Sequence, residues 1–310
     1  MSDELQVLYV GGYGRSGSTL LERLLGASDA VEALGELYKI PRQFSDERTH
    51  CGCRKPVHNC SLWGDVLDRL DLIEKKLSPG YVPYTDERSD EPDESWPWPD
   101  RKQYRSFHER LFGSIRETIE DSVRYITDIS KTTLDASLRP VLLDQCRNVS
   151  VRMIHLTRDS RACLWSKYKR DRRKQKQSAD KRRSWFSRLR SNPILRTNVH
   201  WLFANLAAQS FRLRSPSDYI RVSYEELTNQ PLSLLDRLER FLDEDLSRSK
   251  QLVRNDKPIP NAHQIDGNRL RLQDGIRLHP DKQSWKQNLT TTQKALHELL
   301  GGFLIHFYGY

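Results

Sequence analysis

The stretch "VLYVGGYGRSGSTLLERLLGAS", residues 7–28, runs from an apolar, β-branched segment through a glycine-rich turn into an amphipathic helix. That is the layout of a phosphate-binding loop: glycines let the backbone approach an anion, and the N–H groups of the helix N-terminus point at it. In the G-x-x-x-x-G-K-[ST] pattern, Gly12 and Gly17 fall in register and Thr19 closes it, but Ser18 stands where the lysine belongs. The hydroxyls of Ser16, Ser18 and Thr19 add donors, and Arg15 adds a bidentate cationic fork. Transfer of a γ-phosphoryl group needs a cation reaching between the β- and γ-phosphates, so the missing lysine counts against a triphosphate substrate.

Working outward, strand patterns at 7–10, 125–129, 151–157 and 219–222 alternate with helical ones at 18–26, 62–77, 107–123, 161–169 and 197–214. Residues 134–146 read as helical apart from Pro140, and 292–308 as a closing helix. There is no internal repeat. The alternation predicts a single α/β domain spanning 1–310, with a P-loop-like parallel sheet covered on both faces and ligands collected at the carboxyl ends of its strands.

A chain of 310 residues with 36% hydrophobic content can build a sizeable core. No apolar run reaches the length of a membrane span, and the N-terminus "MSDELQVLYVGG" is acidic where a secretory signal is basic, so a cytoplasmic location is expected. The net charge of +9 favours anionic partners. It is unevenly spread. Residues 167–190, "KYKRDRRKQKQSADKRRSWFSRLR", are strongly basic, whereas 78–100, "SPGYVPYTDERSDEPDESWPWPD", are acidic and proline-rich. Insertions are therefore expected at 78–103 and 167–196, either as solvated segments or as flanks of an acceptor site. The aromatics of "SWFSRL" beside the basic run make an acidic membrane surface a candidate partner; no nucleic acid is expected.

A second constellation lies at 151–168, "VRMIHLTRDSRACLWSKY", an apolar strand ending in Arg158-Asp159 and a helix carrying Ser166. It fails as a Walker B element, because an arginine stands where magnesium chemistry requires the acid. Arg158 and Ser166 could address one phosphate from two directions.

Together the two segments resemble the PAPS-dependent sulfotransferases, in a bacterial-type branch similar to the tyrosylprotein and carbohydrate enzymes. "GRSGSTLL" is similar to the loop that grips the 5′-phosphosulfate, and "RDSRACLWS" to the R-D-x-R-x-x-x-x-S element that binds the 3′-phosphate. The resemblance continues through "VSYEELTNQP" (223–232) and "HQIDGNRLR" (263–271). It implies the sulfotransferase fold, PAPS as co-substrate, PAP as product and no metal requirement. Arg15, Ser16, Gly17, Ser18 and Thr19 are then assigned to the 5′ side, and Arg158 and Ser166 to the 3′ side. Tyr224 is expected to pack by the nucleotide, with Arg269 or Arg271 closing over phosphate. The acceptor, a carbohydrate, lipid, small molecule or peptide, is not specified by these motifs. A P-loop nucleotide kinase and an inactive protein that binds PAP or a polyanion are the alternatives.

Relatives of this branch carry a Gly-Glu shortly after the loop helix, with the glutamate as base. In "VEALGELYKI" this implies Glu36, with Glu32 and His50 in reserve. "YITDISKTTLDASLR" resembles the strand and turn that present a lysine to the bridging oxygen, which implies a catalytic role for Lys131, aided by Ser130 and Thr132, alongside Arg15. "THCGCRKPVHNCSLW" sets Cys51, Cys53 and Cys60 beside His50 and His58. The C-x-C spacing departs from ordinary structural zinc sites and no distant second pair exists, so no metal is assigned; a disulfide, free thiols and zinc stay open. Similar Cys-Gly-Cys segments occur in bacterial relatives. Cys146 and Cys163 fit helical packing.

Overall fold

A computed structural model describes residues 4–40, 43, 48–70, 101–175 and 193–310. In chain order the elements are β1 (Leu5–Gly11), α1 (Ser18–Leu25), β2 (Val31–Glu32), α2 (Trp63–Leu70), α3 (Arg101–Arg116), β3 (Tyr125–Asp128), α4 (Arg139–Leu143), β4 (Val149–Thr157), α5 (Ser160–Gln175) and α6 (Pro193–Arg214). They are followed by β5 (Tyr219–Ser223), α7 (Tyr224–Asn229), α8 (Pro231–Leu242), α9 (Ser247–Arg254), α10 (Trp285–Asn288) and α11 (Thr291–Phe307).

The five strands form one sheet in the order β2-β3-β1-β4-β5, and every neighbouring pair is parallel. Val7 of β1 sits opposite Ile126 of β3 and Val151 of β4. Alternate residues of each strand face opposite sides. Leu8, Val10, Ile154 and Leu156 therefore meet Leu21, Leu24 and Leu25 of α1 and Leu234, Leu235 and Leu238 of α8. Val7, Tyr9, Val151 and Met153 meet Trp63, Val66 and Leu67 of α2 and Leu111, Phe112 and Ile115 of α3. A sheet buried on both faces is what the near-continuous apolar runs of β1 and β4 require.

After β1 the chain leaves towards β2, and after β4 towards β5, on the opposite side. The two connections diverge at the carboxyl ends of adjacent strands, which opens the crevice where such sheets take ligands. The loops at 12–17 and 158–160 stand at that point.

Three element readings change. The helix expected over 107–123 begins at Arg101 and stops at Arg116, whose guanidinium donates to the Val123 carbonyl at 2.9 Å and turns the chain into β3. The stretch 134–146 splits into a 3-10 turn, Leu134–Ala136, and α4, whose Pro140 stands in the first turn, where its missing N–H costs nothing. Of the expected insertions, 101–103 open α3, 167–175 continue α5 and 193–196 open α6; the remainder of 78–103 and 167–196 lies outside the described residues.

Candidate active site

The loop after β1 is shaped by three left-handed residues, Gly12 (φ 104°), Arg15 (φ 76°) and Gly17 (φ 93°). A Cβ on Gly12 would lie 2.4 Å from the Leu156 carbonyl oxygen, and one on Gly17 would lie 2.5 Å from the Tyr224 ring. Both positions exclude a side chain by contact as well as by conformation. Gly17 ends the loop as N-cap of α1 without offering a side chain, so no side chain caps the first turn beginning at Ser18 and Thr19.

The loop is tied to the turn after β3. The Gly12 N–H donates to Thr132 Oγ1 at 2.9 Å, the Thr132 N–H donates back to the Gly12 carbonyl at 3.2 Å, and the Tyr9 hydroxyl donates to the Lys131 carbonyl. These bonds hold Lys131, itself left-handed at φ 67°, beside the phosphate-type loop. Its ammonium donates to Glu36 Oε1 and, at 3.1 Å, to the Ile129 carbonyl.

Glu36 follows Gly35, whose φ of 92° and close approach to the Asp266 carbonyl, 2.6 Å from any added Cβ, admit only glycine. The second carboxylate oxygen of Glu36 pairs with Lys39 at 2.5 Å, and Lys39 also reaches Asp266 at 3.3 Å. Burial would raise the Glu36 pKa, but the charges of Lys131 and Lys39 outweigh it and hold the carboxyl down at about 2. For Lys39, burial works to lower the pKa, and the Glu36 charge overcomes it and raises it.

On the other side of the crevice, Arg158 lies flat over Tyr224, its guanidinium carbon 3.7 Å from the ring centroid. It donates to the Arg15 carbonyl at 3.0 Å and approaches Asp281 at 3.5 Å. Its Nε is buried and has no hydrogen-bond partner among the described residues. Arg15 Nε donates to Ser166 Oγ at 3.0 Å, so the loop arginine reaches the serine two turns into α5.

These groups share one cleft of about 1120 Å³, lined by Arg15, Gly17, Ser18, Thr19, Glu36, Lys131, Arg158, Ser166 and Tyr224. Residues 8–248 match the model of the sulfotransferase family. The chain belongs to the sulfotransferase family. Among solved structures, the sulfotransferase domain from the curacin biosynthetic pathway resembles it over 95% of this chain and 90% of its own, at 15% identity and a TM-score of 0.51, which shows the common fold. The sulfotransferase domain of the Synechococcus PCC 7002 olefin synthase covers 100% of this chain and 96% of its own, at 18% identity and 0.46. A sulfotransferase from Mycobacterium avium covers 84% and 72%, at 18% and 0.45. No curated protein sequence matches the chain.

Several expected positions in this sulfotransferase fall elsewhere. The Ser16 side chain is 2% exposed and turns to Cys163 Sγ at 3.9 Å, away from the cleft. Arg269 is exposed and does not line the cleft. Arg271 is also outside it, because its guanidinium donates to the carbonyls of His50 at 2.5 Å and Gln264 at 3.4 Å. The reserve bases are outside too: Glu32 lies in β2, and His50 bonds the Arg48 carbonyl at 2.9 Å at the surface.

The sulfotransferase cleft also contains groups that no local pattern marks. His200 of α6, His279, Asn268 and Trp285 line it, carried by segments far apart in sequence. With Lys39, Lys167, Lys169, Arg170, Arg196 and Lys282, nine lysines and arginines face two carboxylates, Glu36 and Asp281, an excess of positive charge that favours anions over cations in the cleft. Of the basic stretch, Lys167, Lys169 and Arg170 are therefore cleft residues; the side chains from 171 to 192 lie outside the described residues.

Proposed function

We propose that this sulfotransferase takes its sulfuryl group from PAPS and passes it to an acceptor hydroxyl or amine by in-line displacement, with Glu36 as base. The observation that carries the reading is the Lys131–Glu36–Lys39 chain opening into the same cleft as the 12–19 loop and the Arg158–Tyr224 stack. The buried, unpartnered Nε of Arg158 fits an anion, as does the uncapped first turn of α1. PAPS, bound there, supplies the sulfuryl group and an adenosine bisphosphate leaving group. Ser18 and Thr19 would hold its 5′ side, and Arg158 and Ser166 its 3′-phosphate. Arg15 moves to the 3′ group in this reading, since its guanidinium already meets the Ser166 hydroxyl.

A carboxylate held at about 2 by two lysines is a weak base. An anion entering the cleft competes for the Lys131 ammonium. As that charge turns from Glu36 to the anion, the proton affinity of Glu36 rises, and the same ammonium stabilises the negative charge that develops on the leaving oxygen. One residue pair thus couples donor binding to base strength.

Calorimetry with PAP followed by a mass-spectrometric acceptor screen with PAPS tests the reading. Micromolar PAP binding and transfer of a sulfuryl group are expected; PAP binding with no transfer to any acceptor class would leave a nucleotide-binding protein, and no PAP binding would remove the proposal.

A further inference from the structure

Outside the cleft, four soft or borderline ligands converge from two distant parts of the chain. The ligand atoms of Cys51, Cys53, Cys60 and His263 all lie within 4.8 Å of one another. Cys51 Sγ and Cys60 Sγ are 3.5 Å apart, and His263 Nδ1 is 3.1 Å from the Cys60 sulfur and 3.8 Å from that of Cys51. A tetrahedral ion with Zn–S of about 2.3 Å and Zn–N of about 2.0–2.1 Å places its sulfurs about 3.8 Å apart and each sulfur about 3.5 Å from the nitrogen. These three separations lie within about 0.4 Å of those edges, and no pair in the group exceeds 4.8 Å. Cys51 and Cys60 are 0% and 2% exposed, so the group is closed to solvent on that side.

The backbone is arranged around the sulfurs. The Cys51 N–H donates to the Lys55 carbonyl at 2.9 Å and the Arg54 N–H to the Cys51 carbonyl at 2.8 Å, which folds the 51–55 turn back on itself. Gly52 lies flat against the histidine segment, donating to the Gln264 carbonyl at 2.8 Å; a Cβ there would be 2.4 Å from the Ala262 carbonyl oxygen. The Trp63 indole donates to the His263 carbonyl at 2.5 Å. The single residue between Cys51 and Cys53 is thus a docking point for the irregular segment that delivers the fourth ligand, a partner that the local cysteine spacing does not reveal.

We propose that Cys51, Cys53, Cys60 and His263 bind one zinc ion in a closed, structural site of three thiolates and one imidazole. Binding displaces the three thiol protons and leaves the imidazole neutral, with no change of oxidation state. Three sulfurs and one nitrogen in a closed tetrahedral set select zinc over the oxygen-seeking cations. None of the four residues lines the cleft. The ion would pin residues 262–264 to the 51–60 loop, and two residues further on Ile265 donates to the Leu34 carbonyl at 2.8 Å and Asp266 meets Glu36 and Lys39.

The test is metal analysis of the full chain purified without chelator, followed by cobalt(II) titration of metal-free protein kept reduced. One zinc per chain is expected, with the thiolate charge-transfer and tetrahedral cobalt bands appearing at one equivalent. Cys51→Ser, Cys60→Ser and His263→Ala should each weaken cobalt binding by more than the roughly 10- to 100-fold that loss of an outer-shell partner costs. Cys146→Ser, at a buried cysteine outside the group, should leave it unchanged. If a cluster variant fails to fold, the wild-type stoichiometry and spectrum still decide. Sub-stoichiometric zinc with no cobalt–thiolate absorption would overturn the proposal, as would full affinity in the folded variants. An intact mass two hydrogens light, with Cys51 and Cys60 in one cross-linked peptide, would assign the pair to a disulfide instead.

Discussion

At the scale of single residues, the two halves of the nucleotide reading separate cleanly. Arg158 is stacked on Tyr224 with a buried donor unused, so Arg158→Ala should remove a charge-assisted contact of about 2–3 kcal/mol and weaken PAP about 30- to 150-fold. Adenosine 5′-phosphosulfate, which lacks the 3′-phosphate, should lose little; equal losses in calorimetry would mean that Arg158 supports the loop through the Arg15 carbonyl instead. Glu36 makes a different prediction. Its pKa is depressed to about 2, so its ion pairs stabilise the fold fully above about pH 4.5, and that contribution is lost as pH falls towards 2. The pH profile of kcat/KM, which reports the free enzyme, should therefore show no acid limb from Glu36 between pH 5 and 7. Removing one clamp with Lys131→Met should bring such a limb upward, towards the ordinary carboxylate range. Glu36→Gln should lower kcat by roughly 10²- to 10⁴-fold, while His200→Gln, at one of the two histidines that line the cleft, should not. The reverse ranking would make His200 the base.

At the scale of elements, the segment after β2 and the turn after β3 are joined by one buried acid at the end of β3. Asp128 is 0% exposed and accepts from Arg139 Nε at 2.7 Å, from the Ser130 N–H at 2.9 Å and from the Leu37 N–H at 3.4 Å. Asp128→Ala leaves the Arg139 guanidinium buried without its counter-charge, and urea unfolding should show a loss of about 3–5 kcal/mol. A loss below 1 kcal/mol would show that Tyr104 and His108, which also meet Arg139, satisfy it alone. This hub explains what the sequence could and could not disclose. β1, α1 and β4 are legible because period-two and period-3.6 apolar patterns run through contiguous residues. Glu36 and Lys131 are legible only through the resemblance, since a Gly-Glu and a lysine after a strand have no periodicity. The Asp128–Arg139 pair, eleven residues apart, forms only because the chain turns back after β3, and the place of His200 in the cleft and the partnership of Lys39 with Asp266 depend on packing between segments far apart in sequence. The two-residue strand β2 is too short to carry any pattern, and His263 joins the cysteines only through the fold.

At the scale of the whole molecule, the parallel sheet gathers positive charge at the carboxyl ends of its strands and leaves little there to hold a cation. Nine lysines and arginines line the cleft, and both of its carboxylates are engaged by cations: Glu36 by Lys131 and Lys39, Asp281 by Arg158. Magnesium keeps its waters and is bound through one or two carboxylates with substrate phosphates. Here each such carboxylate would have to abandon an ion pair inside a strongly positive field, and the strand end that would carry a Walker-type acid carries Arg158. On the proposed reading, neutralisation of the leaving group would fall to Lys131, Arg15, Arg158 and backbone donors. Initial rates of sulfuryl transfer should be unchanged in excess EDTA and should respond less than about twofold to added magnesium, a range below 0.5 kcal/mol in the barrier. Short incubations keep this measurement separate from the buried thiolate site, whose loss would be read as a lower melting temperature after prolonged treatment with a stronger chelator. An absolute requirement for magnesium in the chemical step would contradict the electrostatics of this cleft and reopen the kinase reading.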